Sequence, residues 1–229
     1  MKLRSVGFKL VLAATLSAAS IVSSATSVFA SCNPGRSNNG RTYWVYRFQG
    51  TATGIFSKIT VYKPYVLNGF SYSWVMLPGP SNYEWAQVGP YEYPSGTMRT
   101  VVQWADPTSP PPHYQQMDFA AEPVGSKPTF EVLYIPSLQK YEMFDNGSLL
   151  KSVVITSWIP AGGEIAGEIT TYANQMMGAS SANEVFDLNQ IQYSGSWHTF
   201  NGVLPNYDPA FGESGSGAKF NIWDGACSS

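Results

Sequence analysis

Two glutamates four residues apart, Glu164 and Glu168, open the chemical reading of this chain. They lie in Glu164-Ile165-Ala166-Gly167-Glu168-Ile169, and the strand formers Thr170, Thr171 and Tyr172 follow at once. Along a strand, side chains at i, i+2 and i+4 share one face, so both carboxylates and Ala166 point the same way. Only 12% of the residues are charged. Two carboxylates on one strand face, with small residues between them, suit general acid–base work. The bland reading is two ordinary exposed glutamates on a solvated sheet face.

Other chemistries find little support. A serine hydrolase needs a nucleophile, a base and an orienting acid. The two histidines, His113 and His198, stand alone, and Gly212-Glu213-Ser214-Gly215-Ser216 misses the final glycine of a nucleophile elbow. Zinc catalysis wants closely spaced His, Cys or acidic ligands, and no His-Glu-x-x-His occurs. Phosphate-cradling glycine loops are absent as well. No metal or cofactor is expected. Glycoside hydrolysis is the competing carboxylate chemistry. Glu164 to Glu168 has the outline of the Glu-x-Asp-x-Glu signature of laminarinase-like sandwiches, with Ala166 at the middle position. Strand positions four apart are separated by about 13 Å, whereas a retaining pair needs its carboxyl groups about 5–5.5 Å apart. Trp74, Trp85, Trp104 and Trp158 are candidates for stacking on a sugar or lining a substrate groove; core packing is the alternative for each.

The elements that must position these residues are strands. Aromatic residues make up 14% of the chain, with 7 Trp and 14 Tyr. Strand signals recur at 43–48, 55–62, 70–77, 83–93, 98–104, 114–121, 130–135, 141–144, 149–155, 164–172, 183–193 and 220–223, with 197–200 extending the last but one. Ile55, Ser57, Ile59 and Val61 share one face of theirs. Asp145-Asn146-Gly147-Ser148 is a hairpin turn signal. Residues 173–177 hold at most one helical turn, and 201–217 is expected to be loop. Many short strands at regular spacing mean an all-β sandwich or barrel. No repeat or composition break divides the chain, so one domain over residues 31–229 is expected.

The first thirty residues have another purpose. Lys2, Arg4 and Lys9 precede the apolar Leu10 to Leu16, and small residues lead to Val28-Phe29-Ala30. This is the layout of a secretory signal over residues 1–30, cleaved after Ala30. The alternative is an uncleaved anchor, but Ser17, Ser20, Ser23 and Ser24 interrupt the apolar run. A secreted, extracellular protein with no membrane attachment after cleavage is expected. Its formal charge of −2 argues against a nucleic-acid partner, which needs clustered Lys and Arg. The cysteines, Cys32 and Cys227, stand near the two ends of the mature chain. In an exported protein they can pair, and the loop-entropy picture values so long a closure at up to ~5 kcal/mol.

Beside these readings stands a family resemblance. Ser73-Trp74-Val75-Met76, Gln87-Val88-Gly89, the run from Phe130-Glu131-Val132 through Phe144-Asp145-Asn146-Gly147 to Trp158-Ile159-Pro160, the Glu164–Ile169 stretch, and Gln175-Met176-Met177-Gly178 occur in this order. Together the chain resembles the glutamic peptidases: the eqolisins and the neprosin-like prolyl endopeptidases. Gln87-Val88-Gly89 is similar to the Gln-x-Gly of eqolisins and the Glu-x-Gly of neprosins. The resemblance covers residues 70–178 most clearly. It implies an antiparallel, two-sheet, concanavalin-like jelly-roll sandwich and a monomeric acid endopeptidase acting on polypeptides. It also implies catalysis by Gln87 with Glu168 or Glu164. Aligning on Gly-Glu-Val favours Glu168, while the eqolisin stretch Glu-Trp-Ile-Val-Glu favours Glu164. Glu168 is preferred, because Gly167 before it leaves room for a substrate backbone. Trp74, Trp85 and Trp158 are the expected substrate-binding aromatics.

Overall fold

The computed structural model describes residues 32–36, 40, 42–206 and 208–227. The expected signal over residues 1–30 lies outside the described residues. Among those residues the chain is built from strands, and its only helix is one 3₁₀ turn over Pro136–Leu138. Residues 171–174 form turns, with no helix at 173–177. Among the described residues no helix is long and apolar enough to cross a membrane.

Two antiparallel sheets pack face to face. In spatial order, the first holds β13 (Val203–Asn206), β1 (Thr42–Gln49), β10 (Gly162–Ile169), β3 (Ser71–Pro78), β4 (Trp85–Glu92), β5 (Met98–Ala105) and β6 (Tyr114–Ala121). The second holds β14 (Phe211–Ser216), β15 (Lys219–Asp224), β11 (Glu184–Tyr193), β2 (Gly54–Ile59), β7 (Thr129–Ile135), β8 (Lys140–Asp145) and β9 (Ser148–Val154), and β12 (Ser196–Thr199) pairs with β11. This is the all-β, two-sheet sandwich that the strand pattern implies. The expectation of loop over 201–217 is corrected: β13 and β14 both form there. Phe211-Gly212-Glu213-Ser214-Gly215-Ser216 carries too little β-branched character to announce itself; it is recruited by pairing with β15 from Phe211↔Asp224 to Ser216↔Lys219.

Local chemistry explains the main elements. In β7, Phe130, Val132 and Tyr134 alternate inward. In β2, Ile55, Ser57 and Ile59 are fully buried, as the period predicts. The β8–β9 hairpin closes at Asn146-Gly147, both with positive φ, the geometry a two-residue turn demands. Strand β10 differs, being buried over its whole length. Its inner face presents Gly163, Ile165, Gly167 and Ile169 to the second sheet. A Cβ on Gly163 would stand 2.3 Å from Ile191 Cδ1, and one on Gly167 2.4 Å from Ile222 Cδ1. These glycines let the two sheets approach. Gly167 therefore faces the core and not a substrate, which removes the reason for favouring its neighbour Glu168.

The chain ends are gathered at one edge. Cys32 and Cys227 form the expected disulfide, with Cα atoms 5.8 Å apart. The Cys32 N–H also donates to Gln175 Oε1 at 2.9 Å, and Tyr65 N–H donates to the same oxygen at 2.9 Å. Asn174 accepts from Leu67 N–H and donates to the Asn68 and Phe70 carbonyls. Arg36 spans the Tyr172 and Asn174 carbonyls and pairs with the buried Asp224.

Burial governs several carboxyls of the sandwich. Glu184 lies in the interior between the sheets, where the Ser73 hydroxyl donates to it at 2.7 Å. Burial pushes its carboxyl up from 4.5 to about 8, a rise that the Ser73 hydrogen bond only tempers. Burial likewise lifts Glu92 to about 7, against the pull of Lys63. Burial and the adjacent Glu122 lift Asp145 to about 7. The folded protein holds these protons at pH values where the unfolded chain has released them. Their contribution is fully present below about pH 4.5 and is lost as pH rises toward about 8. Thermal unfolding followed across this range is expected to show Tm falling from mildly acidic toward alkaline pH. Glu184→Gln should flatten that slope; an unchanged slope would show that Glu184 does not drive it.

Candidate active site

Strands β1, β10, β3, β4 and β5 floor an open cleft of about 550 Å³ on the face of the first sheet turned away from the core. Strand alternation sorts their residues. Glu164, Ala166 and Glu168 of β10 face the cleft, as the i, i+2, i+4 argument requires. Trp74 and Met76 come from β3, Gln87 from β4, Gln103 from β5, and Tyr43 and Arg47 from β1. The β3–β4 connection over residues 79–84 forms one rim. It is closed by Gly79 N–H donating to the Glu84 carbonyl at 2.7 Å and Ser81 N–H donating to Glu84 Oε2 at 2.9 Å. Trp85 stands on this rim with its ring 6.4 Å from that of Tyr114.

Register decides which of these groups can act together. Arg47 pairs with Glu164, Glu164 with Met76, Met76 with Gln87, and Gln87 with Gln103. Glu164 and Gln87 thus stand in one row across the sheet, two strand spacings or about 10 Å apart at Cα, with Met76 between them. Glu168 belongs to another row, through Tyr72 to Tyr91. Four residues further along the strand puts it about 16 Å from Gln87 at Cα. Side chains of this length reach across the first gap to share a water or a substrate carbonyl, and not across the second.

The two glutamates also differ in surroundings. Glu164 is buried and forms an ion pair with Arg47 Nε. Burial raises its carboxyl above the ordinary range, and the Arg47 guanidinium pulls it back down. Glu168 is buried as well and accepts from Trp74 Nε1 at 3.1 Å. Beside it lies an aromatic cluster of Tyr72, Tyr91, Phe70 and Tyr93. Burial, then the neighbouring Glu168, pushes the Tyr72 hydroxyl well above its usual range. That hydroxyl donates to the Val101 carbonyl at 2.9 Å.

The aromatic candidates separate clearly. Trp74 and Trp85 line the cleft. Trp158 does not: it is 4% exposed, its indole N–H donates to the Ala105 carbonyl at 3.1 Å, and its ring packs 4.6 Å from Tyr141. It pins the crossover leading into β10, a core role in place of the expected substrate contact. Trp104 packs on the inner face against the main core. His113 follows the cis Pro111-Pro112 bond in the β5–β6 connection, while His198 stacks on Tyr193 in the other sheet. Among the described residues no group of three or more His, Cys, Asp or Glu converges in a way that could hold a metal ion.

Sequence reasoning missed Arg47 and Gln103, and Met76 stood there only as part of a motif. Each lies in a strand, and only cross-strand register brings it to the site. Gln103 accepts from Gln87 Nε2 at 2.7 Å. Such register depends on loop lengths that local pattern does not specify.

No protein-family model matches the chain, and no curated protein matches it. Solved structures do. Scytalido-glutamic peptidase, in complex with a peptide-based transition state analog, superposes with a TM-score of 0.56 over 82% of this chain and 98% of the other, at 14% identity. SCP-B, a member of the eqolisin family in complex with the tripeptide Ala-Ile-His, gives 0.55 over the same shares at 14% identity. The sandwich is thus an eqolisin-like fold.

One element of the Gln-x-Gly segment has a direct structural reason. A Cβ on Gly89 would stand 1.9 Å from the Ser73 carbonyl oxygen. Gly89→Ala must therefore push β4 away from β3 beside Gln87. Thermal melts should show marked destabilisation, of roughly 1–3 kcal/mol as for other overpacked sites; an unshifted Tm would mean that the strands separate without cost.

Proposed function

We propose that this chain is a secreted acid endopeptidase in which Glu164 and Gln87 activate water for peptide-bond hydrolysis. The observation that carries the reading is the shared row: a buried carboxyl and a buried amide face one open cleft at a separation that accommodates a water and a scissile carbonyl. The eqolisin-like fold and the peptide ligands of SCP-B and scytalido-glutamic peptidase support it. The disulfide supports export, because such bonds persist in oxidising compartments. The substrate is a polypeptide, and the working unit is a monomer.

Glu164, ionised, takes a proton from the water as its oxygen attacks the carbonyl carbon. Such general-base help is typically worth ~10²–10⁴-fold in rate. The Gln87 carbonyl oxygen holds a water proton, and its free amide N–H donates to the developing oxyanion. The C–N bond then breaks, and Glu164 returns the proton to the leaving amine. Arg47 offsets part of the burial that favours the neutral form of Glu164. Glu168 shapes the far end of the floor with Trp74 and Tyr72.

A glucan-cleaving reading needs Glu164 and Glu168 to act as a pair, but they stand about 13 Å apart at Cα on a regular strand. Retention on a glucan column without proteolysis would favour it.

The test is incubation of the purified chain lacking residues 1–30 with denatured protein and a mixed peptide library across pH, read by mass spectrometry. Cleavage in acid that resists pepstatin, chelators and serine reagents is expected. Glu164→Gln should abolish it. Gln87→Ala should lose at least the ~10²–10³-fold worth of one oxyanion donor, and Glu168→Gln should be milder. If Glu168→Gln abolishes turnover and Glu164→Gln spares it, the base has been misassigned; if both spare it, the peptidase reading falls.

The ion pair makes a separate prediction. Arg47 lowers the Glu164 pKa, so Arg47→Met should raise it, and the acid limb of kcat/KM should move to higher pH. A limb that stays in place would show that Glu164 is not the group it reports.

A further inference from the structure

A row of hydrogen-bonded side chains leads from Gln87 to the open edge of the first sheet. Gln87 Nε2 donates to Gln103 Oε1 at 2.7 Å, and Gln103 Nε2 donates to Gln116 Oε1 at 2.6 Å. Gln116 Nε2 donates to the Tyr93 hydroxyl at 2.5 Å and to Asp118 Oδ1 at 3.0 Å. The Tyr93 hydroxyl donates to both Asp118 oxygens at 2.8 Å.

The direction of this row follows from its last member. An ionised carboxylate only accepts hydrogen bonds, whereas each glutamine has one donating end and one accepting end. Asp118 accepts the Tyr93 O–H, so the hydroxyl oxygen has only lone pairs to offer Gln116. Both contacts therefore demand the NH₂ end of Gln116. Its carbonyl end then faces Gln103, which must answer with NH₂, and the Gln103 carbonyl in turn faces Gln87. Reversing any one amide would set two acceptors or two donors against each other at every later step.

We propose that Asp118, acting through Gln116 and Gln103, is a positioning residue that sets the amide orientation of Gln87. The inference rests on the peptidase reading above. With its NH₂ end held by Gln103, Gln87 turns its carbonyl oxygen toward the Glu164 side of the row. A water between the two then meets two acceptors, gives one proton to each, and leaves a lone pair for the substrate carbonyl. In the opposite orientation the Gln87 amide would donate to Glu164 directly, satisfying the base and displacing the water. The second N–H on Gln87 Nε2 remains for the oxyanion. Direction thus passes across three strands from an exposed edge residue to the cleft floor.

The test uses the chain lacking residues 1–30 and four variants: Gln87→Ala, Gln103→Leu, Gln103→Glu and Asp118→Asn. Asp118→Asn keeps the shape and removes the compulsion to accept; Gln103→Leu severs the row. Both should lower kcat on the order of tenfold, the worth of one oriented hydrogen bond, with KM changed less than about twofold. Gln103→Glu, which still offers an acceptor to Gln87, should recover much of what Gln103→Leu loses. In ¹⁵N-labelled protein, the Gln87 side-chain NH₂ resonances, assigned by their loss in Gln87→Ala, should shift in Asp118→Asn. The proposal is overturned if Gln87→Ala is inactive but Asp118→Asn and Gln103→Leu keep kcat and leave those resonances in place. If Gln87→Ala itself keeps full turnover, the peptidase reading falls instead, and the resonances alone decide whether Asp118 orients the amide.

Discussion

Close approach of the two sheets at β10 is the constraint on which the rest depends. Ile191 and Ile222 of the second sheet fill the space that side chains at Gly163 and Gly167 would occupy. A strand held this tightly from below has little freedom, so the residues on its upper face are fixed in direction. Glu164 and Glu168 inherit their aim from contacts on the opposite side of the sheet. The cleft floor is rigid because the core beneath it is close-packed, and catalysis of the proposed kind needs groups held in place before substrate arrives.

Burying carboxyls in such a sandwich has an electrostatic cost, and the molecule meets it in two ways. At the cleft, the Arg47 guanidinium pairs with Glu164 and offsets part of its burial. In the interior, Glu184 has no cation beside its Ser73 hydroxyl, and burial favours its neutral form up to about pH 8. The second arrangement makes the fold more stable in acid than in alkali.

Much of the architecture was legible in the sequence. Alternation in Ile55-Phe56-Ser57-Lys58-Ile59 and the Asn146-Gly147 turn gave strand and hairpin directly, because each is a local property. The shared face of Glu164 and Glu168 followed from period alone. What failed was non-local. Strand β14 forms because β15 lies beside it, not because its own residues favour extension. Trp158 reads as a cleft aromatic in sequence, yet Ala105 and Tyr141 hold it in the core. That Glu164, and not Glu168, shares a row with Gln87 across β3 is a matter of register, and Gly167 faces the core because a strand glycine can serve either face. Arg47, Gln103, Gln116 and Asp118 were invisible for the same reason: each owes its meaning to register.

The joined ends give the described chain the topology of a ring. Cys32 and Cys227 are 195 positions apart in sequence, yet covalently adjacent in space. A single backbone cut anywhere between them opens the ring without dividing it, so both sides of the nick stay in one covalent body and keep their high effective concentration for each other. The exposed Tyr83 at the cleft rim is the kind of site where a first cut falls. A chain cut there loses a bond and still remains one molecule.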